Sequence, residues 1–421
     1  MNKNEETKKQ KLSTESYKGV RDFYPEEQSF LNYLRDTCKK IVERFGYVEY
    51  HASVLEPAEL YKSKGVENEE IINDQSYTFI DRGGREVTLR PEMTPTVARM
   101  VAGKRRELGF PLRLYSLPNL FRYERPQRGR LREHWQLNVD LFGSQSCAAD
   151  AEVVALAHNI LKEFGAKDTD FEIRIGSRTF LNNLMQEFAV VEEAQNKFLY
   201  LLDRRKKMPA EEFEGALKEF GIPLQRLSAQ TVPIDVAQVL ELLREQFGVT
   251  NAQFDPSIVR GFAYYTGVVF EVFDTHPDNN RSMFGGGRYD NLTAMFDDDP
   301  IVGVGFGMGD VTIHNFLESR NLLPTYAPPT QLYIAITEKS VLPFALSLAE
   351  ELRQCGVCVA TDFGDKKLTD QIKTASKHKI PYLTVVGENE LTANIFAVRN
   401  LETGTETKCE RTELARFFEQ D

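Results

Sequence analysis

From His134 to Phe142 the chain alternates strictly, with Trp135, Leu137, Val139 and Leu141 in one phase and His134, Gln136, Asn138 and Asp140 in the other. Side chains alternate in direction along a strand, so this segment predicts a strand with one apolar and one wholly polar face. A strand set among so much apolar sequence rarely gives a whole face to polar groups unless that face lines a wet, functional cavity. The residues before it point the same way. A strand ending in Phe121 to Glu124 runs into a hairpin tip, placing Arg at 122, 125, 128, 130 and 132. Guanidinium groups that dense at the tip of a hairpin suit a polyanion such as nucleotide phosphates or an RNA backbone. The plainer alternative is an exposed edge hairpin. A solvated face, however, mixes Lys and Glu rather than His, Gln, Asn and Asp.

The Arg cluster sits in a chain of 421 residues whose net charge is −11. That balance argues against a generic nucleic-acid coat and leaves room for local basic patches. The length predicts two or three domains. No apolar run approaches the ~20 residues of a membrane helix, and the N-terminus lacks the apolar core of a signal peptide, so a cytoplasmic protein with no membrane partner is expected. Residues 1–16, rich in Lys, Glu, Gln and Asn, read as a disordered tail. Five scattered cysteines make no disulfide framework. Cys355 and Cys358 have the spacing of a redox or zinc pair, but they follow a helix, at its negative end, with no nearby His. They read as a helix stop at Gly356 and a buried strand cysteine, and no metal site is expected.

Hydrophobic spacing predicts a helix over 30–45, a strand over 47–55, a hairpin over 76–89 turning at 81–84, a helix over 94–106, a helix over 147–164 and a strand over 171–175. From about 178 to 250 helical patterns dominate, suggesting a helical insertion between two halves of a sheet-based domain. Strand patterns return at 258–273 and 301–309. A Pro-rich link at 322–330 precedes a segment that alternates strand and helix to the end, predicting a small α/β domain with a largely parallel sheet.

Three further constellations stand out. Pro91 disfavours helix at Arg90, and Thr94 is placed to cap the next helix with Pro95 behind it; Glu92 is then either a first-turn acid or an anion poised for an ammonium group. The run Arg260 to Gly267 (RGFAYYTG) and the run Gly285 to Asp290 (GGGRYD) pair glycines with arginine, letting backbone approach a ligand while a fork of donors faces an anion. Strand parity puts Arg260 and Tyr265 on opposite faces unless the chain bends near Gly261. Finally, Gly303, Gly305, Gly307 and Gly309 share one face of a strand, and Val302, Val304, Phe306 and Met308 the other. A bare glycine face requires a ligand or packed backbone against it. Asp310 is placed to cap the following helix.

Together these residues resemble a class II aminoacyl-tRNA synthetase of the histidine-specific branch, over nearly the whole chain from Gly19 to Asp22 (GVRD) onward. The resemblance rests on Leu89 to Glu92 (LRPE), Phe121 to Arg130 (FRYERPQRGR), the RGFAYYTG and GGGRYD runs, and the α/β tail. It implies an α+β fold: a mostly antiparallel catalytic sheet with helices over 17–327, a helical insertion at about 178–250, and an α/β anticodon-binding domain over 328–421. It implies a homodimer built partly from segment 30–57, with L-histidine, ATP, Mg²⁺ and histidine tRNA as ligands. Catalytic roles fall to Arg260 and Arg122, and ATP binding to Arg122, Glu124, Arg130 and Gly309. Histidine binding falls to Glu92, Thr94, Gln136, Asp140, Tyr264, Tyr265 and Gly286, and contacts to the tRNA acceptor end to Arg125, Gln127 and Arg132.

The chain departs from that pattern at three positions. Thr312 stands where an Arg usually covers the adenine, Ala263 where an acid is common, and Asp140 where a longer Glu is common. Two readings of other classes stay open. One is a non-catalytic, histidine-sensing regulatory paralogue partnering an ATP phosphoribosyltransferase, which Thr312 favours and Arg260, the complete arginine loop and the C-terminal domain oppose. The other is a ligase with a different acceptor.

Overall fold

The computed structural model describes residues 12–62, 75–127, 129–205, 208–227, 232–258, 264–277, 279, 281–297, 299–364 and 366–419. They fall into two compact units, one ending at Pro324 and the other beginning at Thr325.

In the first unit the strands are β1 (Val48–Glu49), β2 (Leu55–Pro57), β3 (Tyr77–Ile80), β4 (Glu86–Leu89), β5 (Leu112–Ser116), β6 (Asn119–Phe121), β7 (Glu133–Phe142), β8 (Phe171–Ser177), β9 (Ala252–Phe254), β10 (Val268–Asp274), β11 (Ser282–Arg288) and β12 (Gly303–Gly309). Among the described residues nine of them form one sheet, ordered β1-β5-β7-β12-β11-β10-β8-β9 with β6 also on β7. Its pairings are antiparallel except β1 with β5 and β8 with β9. The alternation along β7 decides which face is which. Leu137, Val139 and Leu141 join Phe306, Met308, Phe270 and Ile173 in a core covered by helices Pro25–Arg44, Cys147–Glu163 and Ile234–Glu245. Helix Cys147–Glu163 is rich in alanine, which lets it lie close to the sheet, and the Ser146 hydroxyl caps it by accepting from the Ala148 N–H at 3.2 Å. The opposite face carries a smaller cluster of Tyr264, Tyr265, Val269, Phe142 and Tyr289, with Val97 and Ala98 of helix Thr94–Gly103 against it.

Several elements differ from the sequence expectation. The segment 47–55 is not one strand. It gives β1 to the large sheet and β2 to a separate three-stranded sheet, β2-β4-β3, with coil between. Thr94 is the first residue of its helix rather than the cap; Met93 holds that position and no side chain caps it. Asp310 likewise opens its helix, Asp310–Ser319, behind Gly309. The separate helical body ends earlier than 250. Residues from Leu181 to Leu227 build their own core. Helix Ile234–Glu245, by contrast, buries Val236, Val239 and Leu243 in the main core, because its apolar stripe faces helix Cys147–Glu163.

The second unit holds β13 (Leu332–Ile336), β14 (Val359–Thr361), β15 (Tyr382–Val386), β16 (Ile395–Asn400) and β17 (Glu406–Glu410) in the order β14-β13-β15-β16-β17. Helices Leu342–Gln354 and Leu368–Lys377 make the crossovers that leave β13 parallel to both neighbours. The last two pairings are antiparallel, so the sheet is mixed rather than largely parallel. A loop as short as the one between Asn400 and Glu406 permits only a hairpin. Cys358 is exposed, just before β14; Val357 is the buried residue there, and both Cys355 and Cys358 are free thiols.

Candidate active site

The polar face of β7 looks onto a floor without side chains. Register pairs Asp140 with Gly305 and Gly305 with Gly287, and Asn138 with Gly307 and Gly307 with Gly285. Two rows of glycine thus run across β12 and β11 beside the polar residues of β7, so no side chain of those two strands stands on the floor at these positions.

Two carboxylates stand in this space, each held by a tyrosine. The Tyr264 hydroxyl donates to Glu92 Oε2 at 3.2 Å, and the Tyr289 hydroxyl donates to Asp140 Oδ1 at 2.5 Å. The two phenol rings meet edge to face, 6.0 Å between centroids, and Tyr265 lies 4.9 Å from Tyr264. All five side chains are buried. Burial pushes the Glu92 carboxyl up to about 7, opposed by the Arg122 charge and the Tyr264 hydrogen bond. Burial likewise pushes Asp140 up to about 7, opposed by the Tyr289 hydrogen bond. Asp140 Oδ2 is buried with no hydrogen-bond partner. A buried carboxylate near neutrality is returned to its charged form by a cation or a strong donor from a ligand.

At the other end of β7 stands the arginine loop. Arg122 donates through Nε to the Pro91 carbonyl at 2.9 Å, which places its fork beside Glu92. Arg130 lies 3.7 Å from the Glu124 carboxylate, and Arg125, Gln127 and Arg130 are exposed. Gln127 and Arg130 exchange backbone hydrogen bonds across the tip; Arg128 lies outside the described residues. Gln136 folds over Gly307, and Thr94 is half-buried at the start of its helix. Gly309 ends β12, its carbonyl accepting from the Thr312 hydroxyl at 3.0 Å.

The sequence matches the family model described as histidyl-tRNA synthetase over residues 19–310, and that described as an anticodon binding domain over residues 331–421. A histidine–tRNA ligase from Leptospira biflexa is 40% identical over 416 residues, 94% of each chain. The chain belongs to the histidyl-tRNA synthetase family. A histidine–tRNA ligase from Thermoplasma volcanium is 34% identical, over 97% of this chain and 99% of its own. The crystal structure of histidyl-tRNA synthetase from Nostoc sp. PCC 7120 shares the fold, with a TM-score of 0.82 at 22% identity, over 97% of this chain and 100% of that one.

In this histidyl-tRNA synthetase family member, Glu92, Asp140, Tyr264, Tyr265 and Gln136 gather on one face, with Arg122 at its edge. Arg260 and Ala263 lie outside the described residues. Tyr265 lies before β10, which begins at Val268. Three expectations are corrected. Gly286 pairs with Phe306 and belongs to the opposite, core-facing side; Gly285 and Gly287 form the floor. The Arg132 side chain is buried and already used, donating to the Glu124 carbonyl and the Tyr17 hydroxyl and stacking 4.0 Å over Tyr123, so it is a fastener of the loop rather than a polyanion contact. Arg288 turns away from the site into a buried ion pair with Asp150, 2.9 and 2.7 Å from its two oxygens, and also donates to the Ser144 carbonyl.

Tyr289 escapes sequence reasoning as a site residue, because no pattern ties it to Asp140, and His134, on the polar face of β7, is given no role of its own. For His134 the alternation of β7 is signal enough. Burial, Arg122 and Arg21 push its imidazole down to about 3, so it is neutral.

Proposed function

We propose that this protein joins L-histidine to histidine tRNA through a histidyl-adenylate intermediate, working in the cytoplasm as a homodimer built partly through segment 30–57. The observation that carries this is the pair of buried carboxylates at the two ends of the Tyr264–Tyr289 contact. Histidine is a small molecule with two donor ends, an α-ammonium and an imidazole N–H, and each matches one carboxylate. Glu92, with Thr94 and Gln136 beside it, takes the ammonium. Asp140 Oδ2 accepts from the imidazole, and Tyr265 closes the aromatic wall around the ring.

With histidine so held, its carboxylate is directed toward the edge where Arg122 stands. A carboxylate oxygen attacks the α-phosphorus of ATP, the bond between that phosphorus and the α–β bridging oxygen breaks, and pyrophosphate leaves. Arg122 and Arg260 stabilise the charge that builds on the α-phosphate in the transition state. Arg130 holds the outer phosphates, Glu124 meets the adenine amine, and the Gly309 backbone lies under the nucleotide. Mg²⁺ would accompany ATP and neutralise charge on its phosphates; among the described residues no three His, Cys, Asp or Glu side chains cluster to hold a metal. In the second step a terminal ribose hydroxyl of the tRNA attacks the histidyl carbonyl and AMP leaves. The exposed Arg125 and Gln127 are the loop residues offered to the acceptor end, and the unit from Thr325 is the anticodon-binding module.

Histidine-dependent exchange of labelled pyrophosphate into ATP, run against the other amino acids, tests the first step, and charging of histidine tRNA tests the second. Exchange with histidine alone is expected. Histidine binding without exchange would move the assignment to the regulatory paralogue.

A further inference from the structure

The glycine strand ends beside an ion pair. Gly309 is the last residue of β12 to pair with β7, opposite Gln136. One polar step further along β7 comes His134, and there β12 has already turned into helix Asp310–Ser319. The vacated flank beside β7 is tied by Asp310 instead. Its Oδ1 accepts from the Trp135 backbone N–H at 3.0 Å, and its Oδ2 accepts from Arg21 Nη2 at 2.6 Å.

Arg21 is held from several sides. Its guanidinium lies over the Phe23 ring at 4.9 Å, and Phe23 in turn stands edge-on to Trp135. The backbone just before it is pinned to the start of β7, where the Gly19 carbonyl accepts from the Arg132 N–H at 2.8 Å. Asp310 is buried while the Arg21 side chain remains 30% exposed. Its Nε is buried without a partner. The guanidinium is thus fixed by one ion pair and backed on one side by an aromatic ring.

The charges of Arg122 and Arg21 both bear on the His134 imidazole. The half-buried His134 imidazole has no hydrogen-bond partner among the described residues. Thr312, where the resemblance implies an adenine-covering Arg, has its hydroxyl turned back on the Gly309 carbonyl. No arginine of that helix's first turn reaches the floor.

Resting on the function proposed above, we propose that Arg21 is a nucleotide-binding residue, its planar guanidinium stacking on the adenine of ATP in place of an arginine at position 312. Its charge is already matched by Asp310, so its free offering is the flat face rather than an unpaired cation, and purines stack on that face.

The test compares Arg21→Ala and Arg21→Lys with the parent protein in histidine-dependent pyrophosphate exchange. It is paired with calorimetric titration of each full-length protein with MgATP. The Lys variant keeps the charge and the pairing with Asp310 but loses the plane. Stacking predicts that both variants raise the KM and Kd for ATP about tenfold, with the KM for histidine little changed. Adding Thr312→Arg to Arg21→Ala should then restore ATP binding. A role confined to fastening the N-terminal segment would lower the melting temperature and leave the ratio of the two KM values unmoved, which would overturn the proposal. A fully active Lys variant would overturn stacking. If the parent binds MgATP but shows no exchange, the catalytic reading fails while the titrations still decide on Arg21; if it binds no MgATP, both fall.

Discussion

The Tyr289 hydroxyl donates to Asp140 Oδ1 at 2.5 Å, while Oδ2 of the same carboxylate is buried and unpartnered. One oxygen is spent on holding the group in place, and the other is left as an acceptor aimed at whatever enters. The hydrogen bond also favours the ionised form, partly offsetting burial.

Replacing Tyr289 by Phe removes that hydrogen bond at nearly constant volume. Asp140 then loses an interaction that lowers its pKa, so its carboxyl moves further above 7. The acid limb of the pH profile of kcat/KM for histidine should shift to higher pH, with the KM for histidine up about tenfold at pH 7. The KM for ATP should hold. Steady-state exchange assays from pH 6 to 9 would show this, and an unshifted acid limb would remove Asp140 from the histidine pocket.

Asp140 also links stability to pH. Burial moves its carboxyl from 3.8 up to about 7, so between those values the folded chain holds a proton that the unfolded chain has released. Stability falls as pH rises through that window, by at most on the order of 4 kcal/mol. Asp140→Asn abolishes the titration and keeps an acceptor for Tyr289. Its melting temperature relative to the parent protein should therefore climb between pH 4.5 and 8, while histidine affinity at pH 8 collapses. A constant difference across that range would contradict the buried, protonated state.

The polar face of β7 is legible in the sequence because alternation is a local property and each residue reports its own direction. The glycine face of β12 is legible for the same reason. Tyr289 is not, since its partner Asp140 is 149 residues away and no spacing rule connects them. Arg288 misleads for a related reason. Beside three glycines it resembles an anion fork, yet pairing with β12 turns it toward helix Cys147–Glu163 and Asp150. Register, which is long-range, decides which of two adjacent residues faces the ligand. Helix Ile234–Glu245 reads as insertion because its stripe is locally indistinguishable from those before it, and only the core it joins tells them apart.

Arg288 and Asp150 form a pair in which both side chains are buried, and removing Asp150 leaves the Arg288 charge only the longer contact to Asp290, at 3.4 Å, and the Ser144 and Ser146 carbonyls. Asp150→Ala should cost about 3–5 kcal/mol. Denaturant unfolding would measure it, and the surviving folded fraction should keep the parent KM for histidine and ATP. A selective change in either KM would restore Arg288 to the ligand site.

The floor makes a sharper distinction between neighbouring glycines. A methyl group on Gly305 would lie 2.3 Å from the Val139 carbonyl oxygen and 2.7 Å from Asp140 Oδ1, and the backbone contact has no room to yield. At Gly307 the nearest atoms belong to the Gln136 side chain, 2.8 Å away, which is free to swing aside. Gly305→Ala should therefore destabilise the fold by about 1–3 kcal/mol and displace Asp140 as well. Gly307→Ala should melt near the parent temperature, because the cost is met by a rotamer change. Its loss should appear in the KM for histidine, since the displaced Gln136 leaves the ammonium end. Melting curves and KM values for the two variants, measured side by side, separate a glycine required by neighbouring backbone from one required by the ligand. Equal destabilisation in both would mean that the floor serves the sheet alone.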